Sequence, residues 1–259
     1  MAESTASAAS GASAPFAEGA PCWVDAQLSD VEAGKRFYGD LFGWTFEAAY
    51  STPRIPRVPR DPRDATAERS SSVWAYRDGE SVAALVPKRD GRMPTVWTVY
   101  FATPDAAALV ERIRTAGGQV ITEAVPVDSL GTSVLAADPQ GAVFGLWQPD
   151  SHPGFGRHHE PGSFCWAELY DREPADDFYE EVFDSGRQPD VGRAAVSDVF
   201  PVEMPPHFLV HFGVPECEAA LETVQRLGGR VQKAPFDTSY GRVAVVTDNQ
   251  GASFAVLQR

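Results

Sequence analysis

The chain is short of cysteine and of basic charge. Three cysteines stand among 259 residues. Cys22, Cys165 and Cys217 are odd in number and too few for a disulfide framework, so the expected setting is reducing and cytoplasmic. Lys and Arg total 22 against 36 Asp and Glu, a formal charge of −14. Such a chain repels phosphate backbones and anionic bilayers, which disfavours nucleic acid and membrane and leaves a small molecule as the expected partner. No apolar run approaches the ~18–20 residues that span a bilayer. Residues 1–19, MAESTASAASGASAPFAEG, carry no Lys or Arg and no unbroken apolar stretch. They therefore do not read as a secretory signal and are expected to form a flexible tail. A glycine-rich phosphate loop, a G-x-S-x-G elbow and paired C-x-x-C motifs are all missing, so nucleotide-dependent and serine-hydrolase chemistry lack support.

What is present is apolar surface and a repeat. Hydrophobic residues make up 43% and aromatics 11%, ample for a packed core. PCWVDAQLSDVEAGKRFYGDLF (21–42) returns as FCWAELYDREPADDFYEEVF (164–183). VWTVYFATPDAAALVERIRTAGGQV (96–120) matches HFLVHFGVPECEAALETVQRLGGRV (207–231), and GTSVLAADPQGAVFGLWQ (131–148) matches GRVAVVTDNQGASFAVLQ (241–258). Three matched blocks in one order divide the chain into units at 20–149 and 162–259, joined by a Gly-, Pro- and His-rich linker at 150–161. Within the first unit, CWVDAQL alternates as a strand does, and Asp30 is placed to cap a helix running to Gly43. Three strand-like runs follow, and Pro104-Asp105 opens a second helix closed by Gly117-Gly118. The order β-α-β-β-β, twice per unit, predicts an α+β architecture with more strands than helices.

These motifs resemble the vicinal oxygen chelate superfamily, which includes glyoxalases, extradiol dioxygenases and bleomycin-binding proteins. The likeness spans nearly all of 20–259 and is closest to tandem, two-unit actinobacterial members labelled glyoxalase-like or hydroxylase-like. It implies paired βαβββ modules whose curved mixed sheets form a cup around the ligand. It also implies metal-ligand positions on the concave face, which fall here on Trp23, Thr98 and Gly145 and, in the second unit, on Trp166, Leu209 and Ala255. None of these side chains ligates a divalent ion, so no metal and no other cofactor is expected. The spacing from Phe37 to Phe101 is 64 residues, but from Phe178 to Phe212 it is 34. The second unit is thus truncated by about two strands. The first unit instead carries a Pro- and Arg-rich arm at 51–71.

Candidate acid–base groups follow from face alternation. Asp25 and Glu168 lie two residues after Trp23 and Trp166 and share their face, as general bases or as structural carboxylates. His207 and His211 replace Val96 and Tyr100 of the first unit and point the same way, as proton movers or polar core, about 13 Å apart and too distant to chelate one ion. Tyr240, with Asp237 nearby in FDTSYGR, either donates to a ligand carbonyl or packs its loop. Trp23, Trp166, Trp74, Trp97, Tyr100 and Thr98 are the candidate walls, serving as core or as a platform for a flat ring. The favoured reading is a metal-independent isomerase, cyclase or lyase acting on a small aromatic or polyketide-like metabolite by acid–base chemistry, as monomer or homodimer. The alternatives are a drug- or metabolite-sequestering protein of the bleomycin-resistance type and a divalent-metal glyoxalase or dioxygenase.

Overall fold

A computed structural model describes residues 16–49, 72–88, 90–172, 176–184, 188–201 and 203–259. The arm at 51–71 and most of the N-terminal tail lie outside the described residues. In the first unit the chain runs β1 (Pro21–Leu28), α1 (Val31–Phe42), β2 (Thr45–Ala48), β3 (Val73–Arg77) and β4 (Glu80–Pro87). It continues as β5 (Val96–Ala102), α2 (Ala106–Thr115), β6 (Gln119–Val127), β7 (Gly131–Ala137) and β8 (Val143–Pro149). The second unit contains β9 (Phe164–Asp171), α3 (Asp176–Phe183), β10 (Val191–Ala195), β11 (His207–Gly213), α4 (Cys217–Arg226), β12 (Arg230–Thr238), β13 (Gly241–Thr247) and β14 (Ser253–Gln258).

Local chemistry accounts for the helix boundaries. Asp30 accepts the backbone N–H of Ala33 at 2.9 Å and so satisfies an orphan donor of α1. Gly43 closes that helix at φ 70°, a left-handed conformation that costs glycine nothing. Asp105 and Glu216 cap α2 and α4 in the same manner.

The strands form two sheets, ordered β2-β3-β4-β1-β5-β8-β7-β6 and β10-β9-β11-β14-β13-β12. Each unit is thus one curled mixed sheet, with β1 antiparallel to β5 and β9 antiparallel to β11 at its centre. The truncation is visible in strand count. β4 pairs parallel to β1, and β10 pairs parallel to β9 in the same place, but among the described residues nothing corresponds to β2 and β3 in the second sheet.

The two sheets meet back to back over a shared aromatic core. Trp97, Phe101 and Phe144 of the first unit meet Phe208, Phe212 and Phe254 of the second. The repeated FY and D-x-Q-G motifs hold this junction reciprocally. Tyr38 on α1 donates to Asp248 at 2.8 Å, and Tyr179 on α3 donates to Asp138 at 3.0 Å. The other carboxylate oxygen of each Asp accepts two backbone N–H groups of its own turn. The turn glutamines cross as well: Gln250 takes both backbone groups of Asp30 at 2.8 Å, and Gln140 accepts the N–H of Arg172 at 3.2 Å. Each unit therefore completes the buried polar groups of the other, and a donor removed from either side leaves a desolvated carboxylate.

The segment read as a linker is laid along the first unit. Phe155 donates its N–H to the Cys22 carbonyl at 2.8 Å, and Arg157 pairs with Asp78 at 3.1 Å. Residues 16–19, which the sequence groups with the tail, also join the fold: Gly19 donates to Ala102 at 3.0 Å and Glu18 pairs with Arg112 at 3.0 Å.

Candidate functional site

The concave face of the first sheet is open. It encloses a cavity of about 370 Å³ walled by side chains from β1, β3, β4, β5, β6, β7 and β8. On β1 the alternation expected from the sequence turns Trp23, Asp25 and Gln27 into it. Across the antiparallel pair, Trp23 stands opposite Tyr100 and Asp25 opposite Thr98. Asp25 and Tyr100 are thus diagonal neighbours, a separation that a tyrosine can bridge. The Tyr100 hydroxyl donates to Asp25 Oδ2 at 2.7 Å. Room for this ring comes from β8, where Gly145 lies opposite Tyr100. A Cβ at Gly145 would come within 2.1 Å of the ring. The missing side chain at Gly145 leaves the room that the Tyr100 ring occupies.

Three indoles frame the rest of the cup. Trp23, Trp74 and Trp147 line it and surround one imidazole, that of His152, at centroid distances of 4.5, 4.4 and 5.7 Å. His152 comes from the interunit segment. Its N–H donates to Leu130 at 3.1 Å, and its carbonyl accepts the Trp147 indole N–H at 2.9 Å. Burial holds its pKa down at about 4, so it is neutral at physiological pH. Asp25 is then the only side chain with a formal charge among the described lining residues. The lip on β6 is apolar, with Ile121 and Val125 partly in solvent.

The equivalent face of the second sheet carries a side-chain cluster of its own. Trp166 stacks on Tyr240 at 5.3 Å, and Glu168 Oε2 accepts the Trp166 indole N–H at 2.8 Å and the Tyr240 hydroxyl at 3.1 Å. Burial and that carboxylate raise the Tyr240 phenol well above its ordinary value. Gly192 on β10 leaves space for Glu168, since a Cβ there would come within 2.7 Å of both carboxylate oxygens. Phe200, which follows a single 3-10 turn after β10, packs on Tyr170 and His207 at 5.1 and 4.7 Å. His211 is buried, with Nδ1 3.2 Å from the Leu209 carbonyl and a pKa lowered to about 4 by desolvation. His207 is lowered for the same reason and rests its Nδ1 2.9 Å from the Pro205 carbonyl.

The structure therefore brings together only part of the sequence-predicted set. Asp25, Trp23, Trp74 and Tyr100 line one cavity. Glu168, His207, His211, Tyr240 and Trp166 belong to the equivalent face of the second sheet. Trp97, expected in a wall, faces the interunit core and donates to the Tyr38 hydroxyl at 3.1 Å, because odd and even residues of β5 face opposite ways. Thr98 keeps the cup side but is buried beside Asp25. Asp237 is exposed on β12 and reaches only Arg242, at 3.5 Å. The sequence reading missed His152 and Trp147. No repeat signal marks His152, since its place depends on the chain doubling back over the cup.

The donor chemistry does not fit a divalent ion. The implied ligand positions carry an indole, a hydroxyl and no side chain in the first unit, and an indole and two aliphatic groups in the second. Among the described residues no three His, Cys, Asp or Glu side chains are grouped as metal ligands.

Two buried neutral imidazoles make stability depend on acid. Unfolded histidine protonates near pH 6.5, whereas His152 and His211 do so only near 4. Their contribution is complete above pH 6.5 and is lost as pH falls towards 4, by up to about 3 kcal/mol each. Urea midpoints should fall steeply between pH 6.5 and 4.5, and His211→Gln should flatten that slope. An unchanged slope would refute the assignment.

Residues 23–146 match the Glyoxalase/Bleomycin resistance protein/Dioxygenase superfamily. The anthracycline biosynthesis protein DauV of Streptomyces sp. (strain C5) is 37% identical, over 94% of each chain. The putative glyoxylase CFP32 of Mycobacterium tuberculosis is 33% identical, over 94% of this chain and 96% of its own. Among solved structures, the Mn(II)-bound glyoxalase of Novosphingobium aromaticivorans superposes with a TM-score of 0.61 at 13% identity, covering 94% of this chain and 83% of its own. With these relatives, the curled mixed sheets and the repeated strand and turn motifs, the chain belongs to the glyoxalase/bleomycin resistance/dioxygenase superfamily.

Proposed function

We propose that the first unit binds one flat aromatic, polyketide-like metabolite in its cup and moves a proton on it without a metal ion. The observation that carries this reading is the Asp25–Tyr100 pair, 2.7 Å apart in an aromatic-walled cavity. The relatives named for anthracycline biosynthesis support a place in secondary metabolism and a polycyclic ligand. In the proposed step the Asp25 carboxylate takes a proton from carbon next to a ligand carbonyl, and the protonated acid then donates to the Tyr100 oxygen in place of accepting from it. The electron pair left behind moves onto the carbonyl oxygen, where the Tyr100 O–H, released from Asp25, stabilises it. Returning the proton to a different atom isomerises or closes the ring system, with no oxidant or reductant consumed. The indoles supply stacking area and exclude water.

The test is a fluorescence titration of the full chain with hydroxyanthraquinones, alongside turnover assays on related polyketides. One site per chain should appear, with quenched indole emission, and turnover should survive EDTA. Two equivalent sites, no quenching, or turnover abolished by the chelator and restored by a divalent ion would overturn the proposal.

A further inference from the structure

One polar atom in the cup is unexplained by packing. His152 Nε2 is buried and has no hydrogen-bond partner among the described residues. The residue is 6% exposed and is held by backbone bonds on both sides of the peptide, and its ring is packed by three indoles. A desolvated ring nitrogen with no partner is costly, and a phenylalanine or leucine would fill the same space without that cost. Such an atom at the wall of a cavity is what remains when the missing partner belongs to a ligand.

We infer that His152 reads a ring hydroxyl of the bound metabolite through Nε2, and so selects hydroxylated over O-alkylated or unsubstituted ring systems. This rests on the proposal that the first cup holds a flat aromatic ligand. A hydroxyl suits either imidazole tautomer, because it can accept from Nε2–H or donate to the bare nitrogen. Neutrality also matters: a protonated imidazole would favour an anionic phenolate, whereas the depressed pKa keeps the ring uncharged. Nε2 is closed to water in the ligand-free cup, so a ligand reaches it by displacing an indole. Trp74 is the one of the three that is not fully buried. The interunit segment thereby contributes the specificity of a cup built otherwise from the first unit alone. A site that hydrogen-bonds a substrate hydroxyl discriminates strongly against analogues lacking it, since its own buried group is then left unpaired.

The experiment compares 2-hydroxyanthraquinone with 2-methoxyanthraquinone on the wild-type chain and on His152→Phe and His152→Gln, by indole quenching at pH 7. The preference ratio is taken within each protein, so a general loss of stability cancels. Wild type should bind the hydroxylated probe about tenfold more tightly. His152→Phe should bring the ratio close to one while keeping affinity for the methoxy probe, and His152→Gln should retain part of the preference. A wild-type preference that persists in His152→Phe overturns the inference and leaves the cup reading intact. Absence of quenching by either probe on wild type overturns the cup reading itself, and this inference with it. If His152→Phe does not fold, the glutamine variant decides: an undiminished ratio there, with the hydroxyl contact moved by a bond length, counts against a specific Nε2 contact.

Discussion

Asp25→Asn should remove turnover by about 10²–10⁴-fold while leaving ligand affinity within a few-fold of wild type. The amide keeps the shape and accepts the Tyr100 hydrogen bond through its oxygen, but it does not take a proton, and general-base contributions are of this size. Glu168→Gln is the matched control, because Glu168 occupies the equivalent strand position of the second sheet. It should leave turnover unaltered and lower the unfolding free energy, since the carboxylate anchors both the Trp166 indole and the Tyr240 hydroxyl. Paired kinetic and titration data on the two variants separate three outcomes. Turnover lost only with Asp25 supports the first-cup assignment. Turnover lost with Glu168 places the chemistry in the second unit. Tight binding with no turnover in wild type or variants identifies a sequestering protein of the bleomycin-resistance kind.

Tyr38→Phe should destabilise the chain more than Tyr179→Phe, although the two hydroxyls occupy equivalent places. Each variant orphans a buried carboxylate oxygen in the opposite unit, and hydrogen bonds to charged groups are worth about 1.5–3 kcal/mol. Tyr38 also accepts the Trp97 indole N–H at 3.1 Å, so its loss strands a second buried group. Burial already raises the Asp248 carboxyl, and removal of its donor raises it further. Urea unfolding should show a loss of about 3 kcal/mol for Tyr38→Phe and about 2 kcal/mol for Tyr179→Phe. Asp248→Asn added to Tyr38→Phe should recover part of the loss, because an unpaired amide is cheaper to bury than an unpaired carboxylate. Losses below about 0.5 kcal/mol would show that the reciprocal contacts do not hold the units together.

The α+β class and the missing pair of strands were legible in the sequence because they rest on local signals. Asp30 caps the helix it precedes, D-P-Q-G turns the chain after β7, and a spacing of 34 residues where the first unit has 64 leaves too little chain for two more strands. Alternation along β1 also put Trp23 and Asp25 on one face correctly, since a strand has a period of two whatever it packs against. The same rule, applied to β5, separates Tyr100 from Trp97, two candidate walls that the sequence reading took together.

What the sequence by itself determined was the order of strands and helices and the side to which each strand residue points. These follow from backbone geometry and from contacts a few residues long. Tertiary structure alone decided what surrounds each of two equivalent carboxylates. Asp25 and Glu168 have equivalent positions, yet one lines a cavity and accepts from Tyr100, while the other accepts from both Trp166 and Tyr240. It also decided that the FY and D-x-Q-G motifs serve the junction between the units, and that a histidine from the connecting segment enters the site. Those outcomes depend on groups tens to more than 200 residues apart meeting in space, and no local pattern carries that information.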